Sequence, residues 1–139
     1  AQALLSGQND RIANAANLSA LLFHVLEGVN WVGFYFLKGD QLVVGPFQGK
    51  PACVHIPLGK GVCGKAASSL ETQRVADVLS FDGHIACDAD SRSEIVIPLV
   101  KDGELLGVLD IDSPLENRFD EEDERFLGEI AQAYLDSIE

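Results

Sequence analysis

The sequence has no uninterrupted apolar run of about 18 residues, the length a helix needs to cross a bilayer. No membrane-spanning helix is expected. Its first residues, AQALLSGQND, lack the charged start and long apolar stretch of a secretory signal. The chain opens without Met, so a missing N-terminal piece is expected. Basic residues are scarce, 10 Lys and Arg against 22 Asp and Glu, for a net charge of −12. A surface this acidic repels phosphate backbones and anionic lipid, so neither nucleic acid nor membrane is expected as a partner. Repeats, low-complexity tracts and linker-like stretches are absent. A chain of 139 residues, 47% hydrophobic, suits a single domain over 1–139 with its own core.

Cysteine is sparse and odd in number: Cys53, Cys63 and Cys87. A secreted disulfide framework prefers an even count in a shorter chain, so a cytoplasmic, reducing setting is expected. Cys53, His55, Cys63, His84 and Cys87 contain no C-x₂-C or H-x₃-H pair, and no metal site is expected from them. His24 and His55 read as structural, and His84 as a loop residue near Cys87. A lone cysteine is most often a buried small hydrophobe. That reading is open for Cys53 and for Cys63, which could equally be a low-pKa thiol at a helix N-terminus. Cys87 lies in a polar loop and is hardest to explain as packing.

Residues Asp10 to Glu27 place Ile12, Ala16, Leu18, Leu22, Val25 and Leu26 at helical spacing, and Gly28 stops the pattern. The aromatic run from Asn30 to Leu37 reads as a strand, turned by Lys38-Gly39-Asp40 into a second at Gln41 to Gly45. A third is expected at Ala52 to Ile56. A glycine-rich loop, Pro57 to Gly64, leads into a short helix at Cys63 to Leu70, then a strand near Arg74 to Asp77. Leu79 to Ser93 reads as a loop. Glu94 to Val100 and Leu105 to Asp112 form a hairpin, and Asp120 caps a last helix reaching about Ile138. This order describes an α+β domain with an antiparallel sheet and terminal helices. The amphipathic first and last helices are the surfaces through which a homodimer would pair.

The hairpin register decides where its acids point. A two-residue Asp102-Gly103 turn pairs Lys101 with Glu104 and sets Glu94 opposite Ile111, mixing acid with core. A three-residue loop pairs Val100 with Glu104 and sets Glu94 opposite Asp110. The second register gives an apolar face of Ile95, Ile97, Leu99, Leu105, Gly107, Leu109 and Ile111, and is therefore expected. Glu94, Asp110 and Asp112 then gather at one end of the other face and point into one cavity. Carboxylates this close disfavour each other's ionisation, so one or more is expected to be protonated near neutral pH.

The segments NWVGFYF from Asn30, GKGVCGKAA from Gly59, DSRSEIVIPL from Asp90 and GVLDIDS from Gly107 resemble the free methionine-(R)-sulfoxide reductases, which are GAF-domain enzymes. The resemblance runs from about Ala13 to the C-terminus and includes the order and setting of all three cysteines. It implies a GAF-like fold: a central antiparallel six-stranded sheet, terminal helices on one face, a ligand pocket on the other. It implies Cys87 as the nucleophile, Cys53 (first choice) or Cys63 as the resolving cysteine, and Glu94, Asp110 and Asp112 as the residues that hold the substrate. Free methionine sulfoxide and thioredoxin are the implied partners, with no cofactor.

The residue types suit that chemistry. A thiolate attacks the sulfoxide sulfur. A protonated carboxyl group, Glu94 or Asp112, helps the oxygen leave. Acids also suit an α-ammonium. Backbone N–H groups of the Asp82 to Cys87 loop, at Gly83, Ile85 and Ala86, would form a nest for the α-carboxylate. Trp31 and Tyr35 share one strand face and would wall the methyl group, or are plain core. A GAF module that binds a small ligand, or a thiol redox sensor without turnover, is the alternative.

Overall fold

Strand β1, Trp31–Lys38, shows how the sheet divides the molecule. Val32, Phe34 and Phe36 join the core on one face, while Trp31 and Tyr35 join a second cluster on the other. Successive strand side chains point to opposite faces, and both sets here are apolar. The computed structural model describes residues 2–81 and 90–138; Gly83, His84, Ile85, Ala86 and Cys87 lie outside the described residues.

The remaining elements in chain order are helices α1 (Gln2–Leu5) and α2 (Arg11–Val25) before β1, then β2 (Gln41–Gly49), β3 (His55–Pro57), α3 (Gly61–Ser69) and β4 (Gln73–Val75). A 3₁₀ turn at Val78–Ser80, strands β5 (Ser93–Lys101) and β6 (Glu104–Ser113), and helix α4 (Glu121–Ser137) follow among the described residues. The six strands form one antiparallel sheet in the order β3-β2-β1-β6-β5-β4. Helices α2 and α4 cover one face, and α3 covers the other. The fold is the expected α+β arrangement, a six-stranded antiparallel sheet with helices on its faces.

The helix-side core is built on Leu18 and Leu22 of α2, Phe34, Ile95, Leu109 and Ile111 of the sheet, and Leu127 and Tyr134 of α4. Asp10 caps α2 by accepting from the Ala13 N–H at 2.8 Å. Asp120 and Asp123 form a reciprocal capping box at the start of α4. The Tyr134 hydroxyl donates to the Arg11 carbonyl at 2.9 Å and ties the two helices together. Short α1 was not expected; its Leu5 is buried against this core.

Three expectations are corrected. The β5–β6 turn is the two-residue Asp102-Gly103 turn, with φ of 53° and 81° and Lys101 opposite Glu104. A bulge between Leu99 and Val100 in the pairing then advances the register, so Leu99 meets Gly107 and Glu94 meets Asp112, not Asp110. The extra residue sends Leu105 to the α3 side and Leu106 to the helix side. Beyond the bulge the faces are as expected. The third strand is His55–Pro57, not Ala52 to Ile56, because β3 pairs only with Gln41, Leu42 and Val43. Past the Val44 N–H bond to the Val54 carbonyl, Pro46 has no N–H with which to extend that ladder. Cys53 therefore precedes the strand. Finally, β2 runs on to Gly49 where a stop at Gly45 was expected, because a bulge between Gly33 and Tyr35 in the β1–β2 pairing accommodates Gly45 and Pro46.

Candidate active site

Three neighbouring strands converge on one end of the α3-covered face. In the β1–β6 ladder Trp31 lies opposite Asp112 and Gly33 opposite Asp110. In the β5–β6 ladder Glu94 lies opposite Asp112 and Val96 opposite Asp110. Trp31, Tyr35, Glu94, Asp110 and Asp112 consequently line one cavity, as expected. The cavity is narrow, and together with the open solvent at its mouth it spans about 530 Å³. It is also lined by Lys60, Gly61, Val62 and Cys63 at the start of α3, and by Pro51, Ala52, Ile56 and Ser91.

The aromatic wall depends on a glycine. The Trp31 ring stacks on Tyr35 with centroids 5.6 Å apart and on Phe47 at 5.2 Å. The indole lies over Gly33, where a Cβ would stand 2.6 Å from Trp31 Cη2 and 2.3 Å from Phe47 Cβ. Trp31 Nε1 donates to the Lys50 carbonyl at 3.0 Å, which fixes the ring from its polar end.

Glu94 is 8% exposed and Asp110 4%, while Asp112 is half-buried nearer the rim. Among the described residues no Lys, Arg or His forms an ion pair with Glu94 or Asp110. Burial first, and then the Asp110 charge, pushes Glu94 well above the usual carboxylate range. Burial, and then Asp112, does the same to Asp110. The cluster therefore holds protons at pH values where isolated carboxyls have lost theirs, and it can both donate and accept hydrogen bonds. Burial and the surrounding carboxylates also push the Tyr35 phenol far up.

Cys63 sits in the first turn of α3, where the helix dipole favours a thiolate. Burial and the charges of Asp110, Glu94 and Asp112 override that effect and push the thiol up. It is a free, buried thiol that donates to Glu94 Oε2 at 3.8 Å. Its burial and raised proton affinity fit the packing reading of this cysteine. Cys53 is half-buried, next to Ala52 at the cavity rim. His24 and His55 are exposed, and neither packs in a core as a structural residue would; His55 Nδ1 shares a hydrogen bond with Gln41 Nε2 at 3.1 Å. Sequence reasoning missed the cavity's Lys60, Val62 and Ser91, and the contact of Cys63 with Glu94. The glycine loop before α3 was the available signal for the first two, since it brings backbone close to the sheet.

A GAF domain family model matches residues 15–139. The free methionine-R-sulfoxide reductase of Escherichia coli is 56% identical over 136 residues, covering 98% of this chain and 82% of that protein. The chain belongs to the GAF-domain free methionine-(R)-sulfoxide reductases. As a member of this family it is an oxidoreductase. The reduced form of fRMsr from Staphylococcus aureus superimposes with a TM-score of 0.97 at 52% identity, covering 99% of this chain and 90% of that one. A free methionine-R-sulfoxide reductase from Neisseria meningitidis, solved in complex with its substrate, gives a TM-score of 0.94 at 45% identity, covering 98% and 82%. No helix among the described residues is long and apolar enough to cross a membrane.

Proposed function

We propose that this oxidoreductase reduces free L-methionine-(R)-sulfoxide to L-methionine, with Cys87 as nucleophile, Cys53 as resolving cysteine and thioredoxin as the external dithiol. The observation that carries the substrate is the pair of buried carboxyls, Glu94 and Asp110, without a cationic partner among the described residues, facing a cavity walled by Trp31 and Tyr35. The pocket therefore suits a small molecule that brings its own cation and an apolar tail.

In the first step the Cys87 thiolate attacks the sulfoxide sulfur. A proton held on the Glu94–Asp110–Asp112 cluster passes to the oxygen, which then forms a bond to the cysteine sulfur as the transient S–S bond and the substrate S–O bond break, leaving a cysteine sulfenic acid and methionine. Methionine sulfur is reduced by two electrons and the cysteine oxidised by two. In the second step the Cys53 thiol displaces hydroxide from the sulfenic acid, giving a disulfide and water. A dithiol then reduces that disulfide and becomes one itself. The high proton affinity of Glu94 and Asp110 supports the first step, because a general acid must still hold its proton at working pH. A free, buried Cys63, occupied with Glu94, supports Cys53 as the resolving residue.

The test is turnover of free against N-acetylated methionine-(R)-sulfoxide with a dithiol reductant. Acetylation removes the ammonium and leaves a buried carboxylate unmatched, which costs several kcal/mol and on the order of a thousandfold in specificity. Comparable turnover of both compounds would overturn the pocket assignment.

A further inference from the structure

The cavity contains a three-residue arrangement in which one member, Cys63, has no part in the proposed reaction. Cys63 Sγ, a Glu94 oxygen and an Asp110 oxygen, all buried, lie within 4.8 Å of one another. The Sγ to Glu94 Oε2 separation is 3.8 Å. A tetrahedral zinc ion with Zn–S of about 2.3 Å and Zn–O of about 2.1 Å sets sulfur and oxygen about 3.6 Å apart. The sulfur–oxygen pair is therefore close to ligating geometry without backbone movement. A second observation points the same way. Asp110 Oδ1 is buried in the cavity wall with no hydrogen-bond partner among the described residues. A buried carboxylate oxygen left bare normally meets a donor, a water or an ion.

The donor set selects the class of ion. One sulfur with carboxylate oxygens favours a borderline-soft cation over Mg²⁺ or Ca²⁺, which take oxygen alone. We propose that, in the absence of substrate, this cavity binds one divalent cation of the zinc class through Cys63, Glu94 and Asp110. On binding, the Cys63 S–H bond is exchanged for a sulfur–metal bond, and the thiol proton leaves for solvent with any proton the two carboxyls hold. Asp112 or a water completes the coordination. The ion fills the space assigned above to methionine sulfoxide, so metal and substrate exclude each other. That last point rests on the proposed substrate; the metal site itself does not.

Cadmium is a suitable probe, because a cadmium–thiolate bond absorbs in the ultraviolet. The full chain carrying Cys53→Ser and Cys87→Ser keeps Cys63 as its only cysteine. Cadmium should bind it one to one with a new charge-transfer absorption, and a hundredfold excess of Mg²⁺ should not displace it. Adding Cys63→Ser should abolish the absorption. Asp110→Asn should weaken the titration by more than about tenfold, the lower end of what losing even a supporting partner costs. No absorption in the double variant, or absorption that survives Cys63→Ser, or an unchanged titration in Asp110→Asn would each overturn the site. Far-ultraviolet circular dichroism identifies a variant that has unfolded, and Glu94→Gln then replaces it with the same expectation as Asp110→Asn. Free methionine-(R)-sulfoxide should raise the cadmium concentration required. If cadmium binds through Cys63 and the sulfoxide leaves its titration unchanged, the metal site stands and the substrate assignment fails.

Discussion

Replacing Gly33 by alanine adds one methyl group where the aromatic wall leaves no room for it. The new Cβ would lie 2.3 Å from Phe47 Cβ and 2.6 and 2.9 Å from Trp31 Cη2 and Cζ3. Carbon atoms pack at about 3.5–4.0 Å, so the indole must retreat by roughly 1 Å. Overpacking of this kind costs about 1–3 kcal/mol. With an unfolding entropy near 2.1 cal/mol/K per residue over 139 residues, that is a fall in Tm of roughly 3–10 °C. The same displacement moves the wall against which the substrate is held, and a 1 Å misplacement can cost up to about a hundredfold in rate. A fall in kcat/KM of roughly ten- to a hundredfold is therefore expected. Trp31 is the only tryptophan, so its fluorescence reports the wall directly. Gly33→Ala should shift the emission maximum to longer wavelength as the ring loses its seat. An unchanged emission spectrum together with a Tm within a degree of the parent and an unchanged kcat/KM would refute the reasoning.

Other outcomes follow from the same geometry. Burial and Asp112 raise the folded-state pKa of Asp110, so the folded chain keeps a proton that the unfolded chain releases above about pH 4. That proton's contribution to stability is present below the unfolded pKa and is lost as pH rises through the folded one. Asp110→Asn does not titrate, so its melting temperature relative to the parent should increase from pH 5.5 to pH 8.5, measured in a chelating buffer; a constant or shrinking difference would contradict the burial argument. Cys87→Ser should give no methionine in a single turnover even with excess dithiothreitol, and retained product would move the nucleophile elsewhere. Cys53→Ser should keep that first turnover, read by quench and chromatography, and lose thioredoxin-dependent recycling; full recycling would return the resolving role to Cys63. Glu94→Gln should reduce kcat/KM without changing the titratable thiol count, and parental kinetics would remove Glu94 from the site.

Much of the fold was legible because period-two alternation survives in single sequences. Trp31 and Tyr35 were read onto one strand face, and the structure places them there, opposite Val32, Phe34 and Phe36. Alternation also gathered Glu94, Asp110 and Asp112 at one end of one face. The pairing within that cluster was not legible. The two-residue turn that Asp102-Gly103 favours and the apolar face could be reconciled only through a bulge, and nothing in Leu105-Leu106 announces one, since both residues are apolar. The start of β3 was misplaced for a related reason: Ala52 to Ile56 has strand-forming residues, but its only partner is three residues of β2. Cys63 illustrates the longer-range limit. Its helix position argues for a reactive thiol, and its state is set instead by Glu94, 31 residues away in the chain, and by the acids of β6.

The central claim is the reduction of a free amino acid sulfoxide through a cysteine, and chromatography of the product tests it most directly. Incubated with dithiothreitol and resolved free L-methionine-(R)-sulfoxide, the protein should release methionine in amounts matching the dithiol consumed, over many turnovers. The (S) epimer should be left untouched. Absence of methionine from the (R) epimer, or release that stops at one equivalent per chain with reductant still present, would contradict the account.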